Sequence, residues 1–178
     1  MNTSLNNVIE EGNKNSVSKV IANQTEILLK NINIAIKNAD LESELDDLNT
    51  SRFLFHTLHS LDKWFINPAS YKYDANSSGG ISECLSVTAS SELDFSPAVG
   101  TVIPRKNLEK YGTFVTEKIR EYVKNLTDDK LCEKPEGCKF SRLELILGQF
   151  RHVMCHVGIL SAMNAQCGSG WLEYFGLE

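Results

Sequence analysis

The stretch Gly148–Asn164, GQFRHVMCHVGILSAMN, holds two histidines, His152 and His156, one helical turn apart in a mostly apolar segment. At ~100° per residue, Leu145, Gln149, His152, His156, Ile159 and Met163 share one face of a helix. Leu145, Ile159 and Met163 direct that face to a core, so the imidazoles beside them are desolvated and each needs a partner. One turn separates their Cα atoms by about 6 Å, close enough for both rings to converge on one ion. The same spacing serves the HExxH zinc helix. Here the intervening VMC has no glutamate, so that protease mechanism is absent.

Ser141 caps this helix, with Glu144 three residues on completing a capping box. The helix runs over 141–166 and ends at CGSG. Helical periodicity predicts three more. Val17, Ile21, Leu28, Ile32 and Ala35 mark one over 16–38. The acidic break DLESELDD follows, and Thr50 or Ser51 caps a second helix over 50–66, stopped by Asn67–Pro68. Leu108, Tyr111, Val115, Ile119, Tyr122 and Leu126 mark a third over 105–126, starting after Pro104 and closed by TDDKLCEKPEGCKF. The connection 67–103 is too long for a simple turn and is expected to carry short extended pieces such as CLSVTA, and to cross over or cover something. Four long helices with one long connection predict an all-α, four-helix bundle with a long crossover between helices 2 and 3. The tail WLEYFGLE is apolar enough to dock on the body.

The 178 residues suit a single domain, 1–178. A net charge of −5 without any basic run disfavours nucleic acid as a partner. The polar, acidic start lacks the pattern of a secretory signal, and no apolar run approaches the ~20 residues that span a bilayer. A soluble, cytoplasmic protein with no membrane partner is expected. Five cysteines and no CxxC argue against a disulfide framework. Cys132 and Cys138 bracket a turn whose spacing favours neither a bridge nor a metal.

The chain's other two histidines, His56 and His59, lie in FLFHTLHSLDKWF (Phe53–Phe65), again one turn apart. If the second helix faces the fourth, one of them adds a third imidazole, and three neutral imidazoles plus water form an open site for a divalent ion. Leu54, Leu58, Leu61 and Phe65 form this helix's apolar stripe, with His56, His59 and Lys63 roughly opposite. That face is either solvated or lines a pocket, since Phe53, Phe55 and Trp64 make the helix apolar through most of its circumference.

FLFHTLHSLD and RHVMCHVG together resemble motifs of the DinB/YfiT-like superfamily of metal-binding four-helix bundles. Its members carry one histidine early in the second helix and an HxxxH in the fourth, often followed by a glycine. The matching positions are His56, His152, His156 and Gly158. The resemblance covers helices two to four, and the first helix by pattern only. It implies a three-histidine site for a divalent metal, zinc or nickel first and iron next. Some relatives are thiol-dependent transferases or isomerases that use a low-molecular-weight thiol, and many have no known reaction. A hydrolase-like role, a small-molecule substrate and a homodimer belong to the same expectation. His59 is a departure: it replaces His56 or supports it.

Five further residues lie near the site. Gln149 either binds a metal water or ring N–H, or is a buried amide satisfied by backbone. Asp62 either orients His59 or, as the favoured reading, is exposed. Cys155 points about 60° off the shared face and reads as a small packing residue rather than a ligand. Arg151 can hold a substrate carboxylate only if it lines the mouth, and Arg142 is the other nearby cation. Two competing readings stand beside the metalloenzyme: a metal-free helical binding or interaction module, and a thiol enzyme using Cys155 with His152 or His59 as base.

Overall fold

The computed structural model describes residues 16–45, 48–85 and 101–177. The described chain is all-helical in class, apart from one two-residue antiparallel ladder. In chain order it runs α1 Val17–Asn38, β1 Glu44–Leu45, β2 Leu48–Asn49, α2 Thr50–Trp64, a 3-10 turn Glu83–Leu85, α3 Arg105–Lys124, α4 Asp128–Cys132 and α5 Arg142–Gln166. The helix α1 packs against α3 and α5, and α2 packs against the same two. One continuous core draws Leu28, Leu29 and Ile32 from α1, Phe55 and Leu58 from α2, Tyr111 and Val115 from α3, and Val153 and Leu160 from α5.

The ends of these helices are chemically specified. At the start of α1, Ser16 accepts from the Lys19 amide, and Asp128 at the head of α4 accepts from the Val17 and Ser18 amides at 3.1 and 2.8 Å. These are amides that a helix start leaves without partners. At the other end of α1 the Arg105 guanidinium donates to the Ile36 and Ala39 carbonyls, which joins the α3 start to the α1 terminus. The expected capping box on α5 is present in both directions between Ser141 and Glu144.

For α2 the cap is Asn49, not Thr50 or Ser51. Its side-chain oxygen accepts from the Ser51 and Arg52 amides at 3.0 and 3.3 Å. The N-cap residue is extended and precedes the first turn, whereas Thr50 and Ser51 are already inside it and buried. Ser51 is bonded to Asn49 at 2.5 Å and receives the Ile103 amide at 2.8 Å, tying the end of the long connection to the start of α2. The helix stops at Trp64, with Phe65 as its C-cap. The short α4, inside TDDKLCEKPEGCKF, is a helix that periodicity did not reveal; Thr127 caps it by accepting from the Lys130 amide.

The described part of the connection folds back on the body. Gly79 has φ +71°, and a Cβ there would meet the Asn107 backbone oxygen at 2.4 Å, so only glycine allows this approach. Asn107 in turn donates to the Gly79 carbonyl at 2.8 Å. Within CLSVTA, Cys84 and Leu85 belong to the 3-10 turn rather than an extended piece, and residues 86–89 lie outside the described residues.

The helix α5 has a mean hydropathy of 1.2 over eighteen residues, long and apolar enough to cross a membrane by length and composition. Its Ile146, Val153, Val157, Leu160 and Met163 lie in the core, which accounts for that character. Ile159, expected on the core face, is 38% exposed, because the buried stripe runs through Val153, Val157 and Leu160 instead. The tail is held by a reciprocal pair: Asn31 donates to the Phe175 carbonyl at 2.8 Å and accepts from its amide at 2.9 Å. Trp171, Tyr174 and Leu177 project outward.

Candidate metal centre

The packing of α2 on α5 brings His56 against the His152–His156 pair. One ring nitrogen from each of the three lies within 4.8 Å of the others, a group that can hold a metal ion. Ring centroids are 4.0 Å apart for His152–His156, 5.1 Å for His56–His156 and 6.0 Å for His56–His152. Among the described residues no carboxylate or thiol joins the group. Phe53, one turn before His56, walls one side with its centroid 4.7 Å from that of His156. His156 is buried, while His56 and His152 are half-buried.

Burial sets the protonation. Desolvation pushes His156 down to about 3, with the neighbouring His152 and His56 rings adding to the effect. Desolvation also lowers His152. A buried imidazolium loses its hydration and gains nothing from like-charged neighbours, so these rings are neutral near pH 7. Neutral imidazole is the form that donates a lone pair to a cation.

Hydrogen bonding refines the picture. Thr57 Oγ1 donates to the Phe53 carbonyl at 2.9 Å and lies 3.2 Å from His156 Nδ1. His152 Nε2 is buried and has no hydrogen-bond partner. A buried nitrogen left without a partner is costly, and a shared cation satisfies it. The residues present therefore fit a divalent ion on the strength of that orphaned nitrogen and an all-imidazole donor set.

His59 goes elsewhere. Its Nε2 lies 3.1 Å from Glu83 Oε1 on the 3-10 turn, and its ring sits beside Tyr71 and Tyr73. It neither replaces His56 nor joins the triad. Desolvation lowers its pKa despite the opposing Glu83 carboxylate. Asp62, expected to be exposed, is 6% exposed. It accepts from Tyr71 and Tyr111 hydroxyls at 3.0 Å each and from Lys118 Nζ at 2.5 Å. The connection folding over this side of α2 is what buries it. Burial, reinforced by the Asp62 anion, raises the pKa of both tyrosines.

The remaining expectations divide. Gln149 is buried, but its Oε1 has no hydrogen-bond partner, so the backbone does not satisfy that oxygen. Cys155 is exposed, neither packed nor part of the histidine group. Cys132 and Cys138 are free thiols. Arg142 pairs with Glu133 at 3.0 Å. Arg151 lines a groove of about 360 Å³ with Trp64, Phe140, Leu147 and Gln149, whose lining includes none of the histidines. Gly158 is exposed, and a Cβ there would meet nothing, so packing does not require that glycine. Sequence reasoning missed Thr57 and Phe53, which flank His56 in the chain but act on His156 across the helix interface. No signal in one sequence marks such a pairing. Set beside known proteins, the chain matches no family model, no curated protein and no solved structure, and the three histidines themselves carry any functional reading.

Proposed function

We propose that this chain is a metal-dependent enzyme of the DinB/YfiT-like kind, a four-helix bundle with a long crossover between α2 and α3. In this reading His56, His152 and His156 hold one divalent ion. The observation that carries the reading is the convergence of three imidazole nitrogens, from two helices far apart in sequence, within 4.8 Å. The alternate packing of α1 and α2 on α3 and α5 supports the bundle. Imidazole donors suit zinc, nickel, iron and copper alike, and zinc or nickel is the ion of this reading, with iron next.

A divalent ion held there supplies Lewis acidity, which lowers the pKa of a coordinated water or thiol and makes a nucleophile available near neutral pH. The chain's own residues do the rest. Thr57 holds the His156 ring, and Phe53 keeps water from one side of it. His56 and His152 are half-buried whereas His156 is buried, so in this reading a small molecule reaches the ion from the side of the first two. Gln149, one turn before His152 on α5, keeps a buried amide oxygen without a hydrogen-bond partner. The reaction class is transfer or isomerisation assisted by a low-molecular-weight thiol, or hydrolysis, in a protein that works as a homodimer.

The test is elemental analysis of protein purified without a polyhistidine tag, for wild type and His152→Ala. About one ion per chain, abolished by the substitution, is expected. No metal in wild type, even after loading with zinc and nickel, overturns the reading.

One observation favours a metal-free binding module instead. Trp64, Phe140 and Leu147 are each more than a third exposed and line the groove beside Arg151. In that reading the histidines are core residues, and replacing His152 changes stability without changing any ligand-linked property.

A further inference from the structure

The hydroxyl of Thr57 has one proton and two partners. A carbonyl oxygen only accepts, so the contact of 2.9 Å to Phe53 consumes that proton. The contact of 3.2 Å to His156 Nδ1 is then a hydrogen bond only if the ring donates and Oγ1 accepts. A neutral imidazole has one N–H, so a proton on Nδ1 leaves the lone pair on Nε2. We infer that Thr57 is a positioning residue that fixes His156 in its Nδ1–H tautomer and so selects Nε2 as the ligating nitrogen of the three-histidine site. This rests on the metal reading proposed above and adds to it the group that orients one ligand.

Three features support the assignment. Thr57 is fully buried, so water does not compete for His156 Nδ1 from that side. Its bond to Phe53 is the i to i−4 bond of a helical threonine, which holds Oγ1 in one rotamer. Phe53, the residue that fixes the hydroxyl, also presses its ring on His156, so one turn of α2 controls both the proton and the plane of the imidazole. Partners of this kind, behind a ligating histidine, are worth 10- to 100-fold in metal affinity.

The test uses Thr57→Val, which keeps the side-chain shape and removes the acceptor, and Thr57→Ser, which restores it. Zinc affinity is read by competition with a chromophoric chelator. The tautomer of His156 in the metal-free protein is read near pH 7 from the two ring nitrogens by long-range nitrogen–proton NMR. The expected result is a loss of about 10- to 100-fold in zinc affinity for T57V, with T57S close to wild type. The NMR pattern expected for wild type is Nδ1–H, lost in T57V. Equal zinc affinity in wild type and folded T57V overturns the inference, as does an Nε2–H pattern in the wild-type protein. The wild-type tautomer decides the matter even if T57V does not fold. Wild type that takes up no zinc shows instead that the metal reading has failed, and this inference falls with it.

Discussion

The His56 ring centroid lies 5.1 Å from that of His156 across the α2–α5 interface. A proton on His156 loses its hydration there and is repelled by any positive charge on the neighbouring rings. Stability without metal therefore depends on acid. The folded His156 titrates at about 3, against 6.5 for the unfolded chain. Between those values the unfolded state binds the extra proton, so stability is fully present above about pH 6.5 and declines as pH falls toward 3. The lowered His152 and His59 act in the same sense. Denaturant midpoints of metal-free protein should fall steadily from pH 7 to pH 4.5. The slope should weaken in His156→Gln. A midpoint that stays level over that range would contradict the burial of these rings.

Metal loading should stabilise the fold and should do so through the histidines alone. Zinc at a hundred times its Kd adds about 2.7 kcal/mol, or roughly 5–10 °C in Tm for a chain of this size. His152→Ala and His56→Ala should abolish the shift. Cys155→Ser should leave it intact, because Cys155 faces solvent outside the group. A shift lost in Cys155→Ser and kept in His152→Ala would favour a thiol site over the triad.

The parts of this architecture that were legible in the sequence are the local ones. The long helices begin and end within about two residues of where periodicity and capping place them, because a helix is specified by its own side chains. The spacing of His152 and His156 belongs to one helix and was readable for the same reason. Asn49 does not stand out in the sequence because Thr50 and Ser51 are equally good cap residues, and only the backbone shows which residue is the extended one. The five residues of α4 are too few to show a period. The burial of Asp62 and the place of His59, left open by the sequence, depend on Tyr71 and Glu83, which come from a connection whose path no local pattern encodes. The Thr57–His156 bond required the register of α2 on α5, which is tertiary.

Asp62 should be a structural residue that the metal site does not need. Its carboxylate satisfies Tyr71, Tyr111 and Lys118, and its removal leaves buried donors without an acceptor. Breaking a buried charge pair costs about 3–5 kcal/mol, and Lys118 is partly exposed, so the lower end applies. Asp62→Ala should therefore lose about 3 kcal/mol in urea unfolding while retaining wild-type zinc affinity in the folded protein. A large loss of affinity with little loss of stability would instead tie Asp62 to the metal.

The Gly79–Gly80 pair offers an internal control for how firmly the connection is seated. Both have positive φ, +71° and +78°, so alanine at either position carries the left-handed penalty of about 1–2 kcal/mol. They differ in surroundings. A Cβ on Gly79 would approach the Asn107 backbone oxygen to 2.4 Å, whereas one on Gly80 meets nothing within 4 Å. A backbone oxygen in the first turn of α3 cannot step aside as a flexible side chain would. Gly80→Ala should thus show the backbone penalty alone. Gly79→Ala should show more, and should also loosen the turn enough to raise hydrogen exchange at Ser78 and Ile81, whose amides are bonded within it. Equal losses for the two variants would mean that the turn is not seated on α3, and the burial of Asp62 and His59 beneath the connection would then need another cause.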